Sequence, residues 1–331
     1  MQWEVKRVKF NVLKKLLIKT PGPLYAIIAL TIFFTYISPD FFSVDNGFSL
    51  MLQGAALAVL ACGMTMAILT AGIDLSLGAI PGLAGVTFAL ALQFGLPAGL
   101  AIGIALLTGM LCGSINGILI GCFKMDEFVA TLGMMSVAEG FALAFSNGAA
   151  LPVANPFIPW LAGSHLMLGI AVPVWLAAII FVIIYLLVHQ TKFGVHLYAI
   201  GGNRDVALLS GVNVPKIRFF LYCLNGVLGA LAGIILVGRM NTAHPSAAIG
   251  MEFDAIAAVV IGGTALSGGQ GGVPGTILGV GVVCVLRSGL NMTGLPSSWQ
   301  MVVLGSIILG TIIMETLRKN KMRRYRNAVN A

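Results

Sequence analysis

The chain is 331 residues long, with 58% hydrophobic residues, only 9% charged residues and a formal net charge of +8. A soluble domain carries about 25% charged residues, so a chain with a mean hydropathy of +0.99 cannot cover a water-facing surface. The composition excludes a soluble enzyme and points to an integral membrane protein. Its apolar runs are long and lack a period of two, which makes the spans helical rather than barrel strands.

The chain opens on a basic segment, 1–22, in which Lys6, Arg7, Lys9, Lys14, Lys15 and Lys19 crowd together. The first apolar run follows without a small-x-small cleavage site, so it reads as a retained span rather than a removed leader. About 20 apolar residues cross a bilayer. On that measure ten spans are expected, at 23–38, 48–70, 77–94, 98–122, 128–146, 173–189, 217–238, 253–267, 273–292 and 299–317. A basic tail, 318–331, carries Arg318, Lys319, Lys321, Arg323, Arg324 and Arg326. With the N-terminus inside, the connection 124–127, the loop 190–216 and the tail also fall inside, whereas the segment around Asn155 falls outside without Lys or Arg. Each basic cluster then lies on the cytoplasmic side, as the positive-inside rule requires. The same distribution argues against nucleic acid as a partner: the charge reports topology beside membrane lipid.

Within the spans, "MTMAILTAGIDLSLGAIPGLAG" contains Asp74, the only acidic or basic residue between Asp45 and Lys124. "I-D-L-S-L-G" places a polar pair just before a resumed apolar helix, which is the pattern of a cap inside a broken helix. A contact along a solute path is the other reading of Asp74 and Ser76, and the two roles can overlap. In 98–122, Gly109, Gly113, Gly117 and Gly121 recur every four residues and form a groove for a close helix neighbour or a second subunit. In 128–146, Ser136, Glu139 and Ser146 share one face, and an ionisable group at that depth is a functional candidate. Arg287 is the deep cation that sequence offers as its partner. Span 253–267 is short and interrupted at Gly262, Gly263, Gly268 and Gly269. Broken backbone at membrane depth persists only where protein or a cavity surrounds it.

No G-x-x-x-x-G-K-[ST], G-x-S-x-G or H-E-x-x-H motif is present, so the chain is not expected to be an enzyme or to hydrolyse a nucleotide by a phosphate loop. The 5 cysteines lack C-x-x-C spacing and the 4 histidines lack ligand spacing, so neither a metal nor a cofactor is expected on this chain. The inner loop 190–216 contains "NRDVALLSGV", which predicts a short helix with Asn203 as N-cap, Arg204 and Asp205 early, Ala207 and Leu208 as an apolar side and Gly211 as the exit. Such a helix suits a groove on a soluble partner; an ordinary solvated loop is the plainer alternative.

Four stretches carry a resemblance. "AGIDLSLGAIPGLAG", "FVATLGMMSVAEGFAL", "TKFGVHLYAIGGNRDVALLSGVNVPKIRFFLYCLNGVLGALAGII" and "EFDAIAAVVIGGTALSGGQGGVPGTILG" together resemble the ribose-type permease subunits of bacterial sugar ABC importers, in order across about residues 45–290. The resemblance implies an all-α inner-membrane permease of about ten spans, with 23–317 as a single transmembrane domain. It implies as partners an ATP-hydrolysing ABC subunit, a periplasmic sugar-binding protein, and a second permease copy or related subunit. It also implies that Tyr198–Val212 is the cytoplasmic coupling element. The chain departs from the family pattern at Glu139, where an arginine is common, and in "NGAALPV", which lacks a basic residue; both bear on the choice of solute. The cargo expected is neutral and rich in hydroxyls. The rival reading is a secondary transporter or channel driven by an ion gradient, which would move solute without an ATPase.

Overall fold

In the computed structural model the described residues are 22–313, except 164, 168, 297, 304, 308, 311 and 312. The basic segment expected at 1–22 lies outside them but for Gly22, as do the last residues of the 299–317 span and the tail 318–331. Among the described residues, six helices are long and apolar enough to cross a membrane. They are α2 (Val44–Leu69), α4 (Ala98–Gly121), α5 (Glu127–Ser146), α7 (Val172–Gln190), α10 (Val214–Met240) and α12 (Val273–Met292). Shorter helices fill the gaps: α1 (Gly22–Ile37), α3 (Ile80–Gln93), α6 (Phe157–Gly163), α8 (Lys192–Gly202), α9 (Arg204–Leu209), α11 (Met251–Ile261) and α13 (Ser298–Ile307). The protein is all-α and polytopic apart from small ladders at one end of the bundle.

Local chemistry explains the boundaries. Ser43 caps α2 by accepting from the Asn46 N–H at 3.2 Å, which starts this helix earlier than apolarity alone suggests. Asp126 accepts from Phe128 and Val129 to start α5, and Asn213 accepts from Lys216 to start α10. Pro81, Pro173, Pro215 and Pro274 occupy first-turn positions, where a missing N–H loses nothing. Asn147 ends α5 and Asn241 ends α10, both left-handed.

The core is built around α2, buried from Gly54 to Leu69, and α10, buried along most of its length. By contrast α4, α5 and α7 bury one face. On α4, Leu100, Leu107, Leu111, Ile115 and Ile118 are exposed at helical spacing, an apolar stripe turned outward. Its opposite face bears Gly109, Gly113, Gly117 and Gly121, set against Gly226, Tyr222, Phe219 and Pro215 of α10. At Gly113 a Cβ would collide with the Tyr222 carbonyl, so backbone meets backbone there.

Contacts sort the connections to two ends. At one end, Gly121 touches Pro215, Gly72 touches Glu127, and Gly201 touches Leu69. At the other, the ladder pairs β1 (Leu151–Pro152) with a second strand, Thr242–Ala243, and Gln93 donates to the Pro152 carbonyl at 2.9 Å. The expected span 253–267 is corrected here. Its helix, α11, stops at Ile261 after 11 residues, about 16 Å at 1.5 Å per residue and half of a ~30 Å hydrocarbon core. Residues 241–250 lead back from the ladder to its start, and 262–272 form a loop at the end that carries α8 and α9.

Candidate functional site

The break expected near Asp74 separates α2 from α3. Leu69 ends α2, Ala71 adopts φ 63°, and a 3-10 turn, Leu75–Gly78, precedes α3. Asp74 is the N-cap of that turn and is 1% exposed. Its Oδ1 accepts the Ser76 N–H at 3.1 Å and the Ser76 hydroxyl at 2.5 Å, and its Oδ2 accepts the Asn225 amide at 2.9 Å. The Asn116 amide donates to Ser76 Oγ at 3.0 Å, and Thr131 Oγ1 accepts the Leu75 N–H at 3.2 Å. One carboxylate thus ties the turn to α10 directly, and Ser76 and Thr131 extend the tie to α4 and α5. A buried carboxylate held by three donors has its charge solvated by protein. In this conformation neither oxygen faces an open path.

Glu127 lies immediately beneath Gly72, where a Cβ would fall 3.2 Å from Glu127 Cγ and 3.3 Å from the Tyr222 hydroxyl. Glu127 pairs with Arg218 at 2.6 Å, both side chains largely covered. Above the turn, Gly78 faces the Glu252 carboxylate and Gly82 faces the Pro245 carbonyl. Glu252 also accepts the Gly250 N–H at 2.8 Å, and so holds the entry to α11.

Ser136 is exposed, Glu139 half-buried and Ser146 buried, so this stripe on α5 runs from an open to a covered position. Arg287 is not the partner of Glu139: it pairs with Asp254 at 2.6 Å. The reason is the return of 241–250, which sets the first turn of α11 beside α12. Glu252 and Asp254 are both buried, in the first turn of α11.

At the end bearing the 190–216 loop, two helices replace the single one expected. Asn203 separates them and accepts from Asp205 N–H at 3.0 Å and Val206 N–H at 3.1 Å, capping α9. Ala207 is buried with Ile200 and Val214, whereas Val206, Leu208 and Leu209 are exposed. Ala207 and Leu208 therefore do not share a side: one seats the helix and the other faces out. Arg204 is half-buried and Asp205 exposed. Gly211 has φ 86°, with open space around its missing Cβ.

Gly262 ends α11 against Gly275, and Gly263 follows with φ 89°. Gly268 and Gly269 are not in a helix. They lie in the loop between the Leu69–Ala71 and Gly201–Gly202 backbones, and Gly269 N–H donates to the Leu69 carbonyl at 3.0 Å. The Tyr198 hydroxyl donates to the Gly271 carbonyl at 2.8 Å. Partial burial pushes the Tyr198 pKa up.

A family model described as a branched-chain amino acid transport system / permease component matches residues 46–312. The chain belongs to this permease family. The permease is 42% identical over 310 residues to the ribose import permease protein of Bacillus subtilis (strain 168), covering 93% of this chain and 95% of that one. It is 38% identical over 291 residues to the ribose import permease protein of Escherichia coli (strain K12), covering 86% and 90%. It is 31% identical over 290 residues to the D-allose transport system permease protein of Escherichia coli (strain K12), covering 87% and 88%. No solved structure matches. As a permease it is a multi-pass membrane protein and not itself an enzyme.

Sequence reasoning missed five groups that build the permease's interior: Asn116, Asn225, Thr131 and the pair Glu127–Arg218. The signal was present, since "SINGI" and "CLNGV" each set an asparagine inside an apolar helix. An amide buried in an apolar helix needs a partner, and Asp74 keeps an oxygen free for one after capping its own turn.

Proposed function

We propose that this chain is the permease subunit of an ATP-driven importer of the inner membrane, carrying a neutral, hydroxyl-rich solute of the sugar class. The family's description names branched-chain amino acids, but the three relatives above are named for ribose and D-allose at 31–42% identity over most of both chains. Ten crossings follow if α1, α3, α11 with its return segment, and α13 each traverse the bilayer beside the six long helices. The termini, α8 and α9 then face the cytoplasm. ATP is hydrolysed on a separate ABC subunit, solute arrives from a periplasmic binding protein, and a second permease copy or related subunit completes the path. Asp74, Ser76, Ser136 and Glu139 remain the candidates along it.

The observation that carries the coupling role is the outward face of α9. Leu208 is 54% and Leu209 87% exposed on a capped helix beyond the bundle, beside charged Arg204 and Asp205. An apolar patch rimmed by charge on a short rigid helix is suited to a groove on a protein. Gly211→Phe adds bulk at this tip without meeting the chain's own atoms, although a non-glycine residue is strained at its φ of 86°. The expected outcome is loss of solute uptake with normal membrane levels. Copurification of the ATPase and solute-stimulated ATP hydrolysis in vesicles measure it; undiminished binding with full stimulation would exclude α9 as the docking element.

A further inference from the structure

We infer that the loop Gly268–Gly272 is a relay, joining the end of α8 to the turn that carries Asp74, with Gly201 and Tyr198 as its positioning residues. The inference rests on the reading of α8 and α9 as the docking segment. Three stretches of backbone meet at this place with no side chain larger than the Ala71 methyl at the contacts. A Cβ at Gly201 would overlap the Leu69 carbonyl and stand 2.6 Å from Gly269 N. One at Gly268 would stand 2.8 Å from Ala71 N and 2.9 Å from Gly201 Cα; one at Gly269 would stand 2.9 Å from Gly202 N. The junction is fastened by the Gly269 N–H bond to the Leu69 carbonyl at 3.0 Å and the Tyr198 hydroxyl bond to the Gly271 carbonyl at 2.8 Å.

The geometry decides what the junction transmits. Side chains absorb small displacements by changing rotamer, but backbone packed on backbone has no such slack. A shift of α8 therefore reaches Leu69–Ala71 both directly at Gly201 and through the loop. Asp74 follows Ala71 after two residues, and its bonds to Ser76 and Asn225 pass the shift to α10 and, through Asn116, to α4. The loop is the start of α12 as well, since Gly272 precedes Val273 and donates to Thr264 Oγ1 at 3.2 Å. One motion at the docking end is thus delivered to the broken segment before α3 and to the entry of α12 together.

Hydrogen–deuterium exchange on the assembled importer in lipid nanodiscs, with and without a non-hydrolysable ATP analogue, tests this. In the unmodified importer both 203–211 and 69–78 change exchange on nucleotide binding. Gly201→Ala and Tyr198→Phe keep the response at 203–211 and lose or reduce it at 69–78, and Gly201→Ala lowers uptake about tenfold, within the range of coupling changes seen along such networks. A purely structural role would change the melting temperature and leave the two responses in step. A response at 69–78 equal to wild type in the variants overturns the relay. Should Gly201→Ala fail to assemble, Tyr198→Phe, which removes one hydroxyl, decides alone. Absence of any nucleotide response at 203–211 in the unmodified importer overturns the docking reading, and the relay with it.

Discussion

The cost of burying Asp74 is reduced, because its carboxylate is met by a hydroxyl, an N–H and an amide in place of water. The network sets the ranking of its substitutions. An asparagine here keeps one oxygen for Ser76, and its amide can face Asn225 if that side chain flips to present its own oxygen. A leucine leaves the Ser76 N–H and the Asn225 amide buried without acceptors, at about 1–3 kcal/mol for each lost partner. Asp74→Asn is expected to retain assembly and much of uptake. Asp74→Leu is expected to lower the melting temperature of the purified permease and abolish uptake; a leucine variant with wild-type melting and uptake would remove both the capping and the path roles. The Arg218–Glu127 pair follows the same logic one turn away, since either charge left alone in a covered site is far costlier than the pair.

At the scale of elements, the α4–α10 contact depends on residues too small to separate two backbones. Gly113→Leu is expected to destabilise by about 1–3 kcal/mol, because the side chain must displace Tyr222 and with it the ceiling over Gly72. Gly99→Leu on the same helix meets open space and is the control. Thermal unfolding in detergent separates the two, and equal melting temperatures would show that the glycine row does not set the packing. Most of the long helices were legible in the sequence, because 19 or more largely apolar residues leave few alternatives. The elements that failed were those whose limits are set by contacts far away in sequence. α11 ends at Ile261 because Gly262 packs on Gly275 of α12 and Gly263 takes a φ of 89°; the glycines were visible in the sequence, but the neighbour that requires them and the return of 241–250 were not. The site was legible in the same proportion. Asp74 announced itself as a charge among apolar residues and its capping role was readable from "IDLSLG". Its partner Asn225 lies 151 positions away, and Asn116, which donates to Ser76, lies 40 positions from that serine; only packing brings them together.

For the molecule as a whole, the two ends should differ in accessibility. Ala154 and Ser210 are exposed, and contacts place them at opposite ends of the bundle. With the native cysteines replaced, Ala154→Cys is expected to react with an impermeant maleimide in intact cells, whereas Ser210→Cys should react only after permeabilisation. The reverse pattern would invert the topology. The 11 residues of α11 have a further implication, one that concerns synthesis. A helix half the thickness of the hydrocarbon core is too short to settle there unaided, and 241–250 brings unpaired peptide groups with it. Some of those groups are met locally, as the Ala247 N–H is by the His244 carbonyl and the Gly250 N–H by Glu252; others wait on distant neighbours, the Asn241 carbonyl on the Val153 N–H and, in α11 itself, the Asp254 carboxylate on Arg287. Arg287 emerges from the ribosome 33 residues after Asp254. If insertion runs in chain order, the Asp254 carboxylate enters before its cation. The segment 241–261 is therefore expected to gain protection from protease during synthesis only once α12 is present.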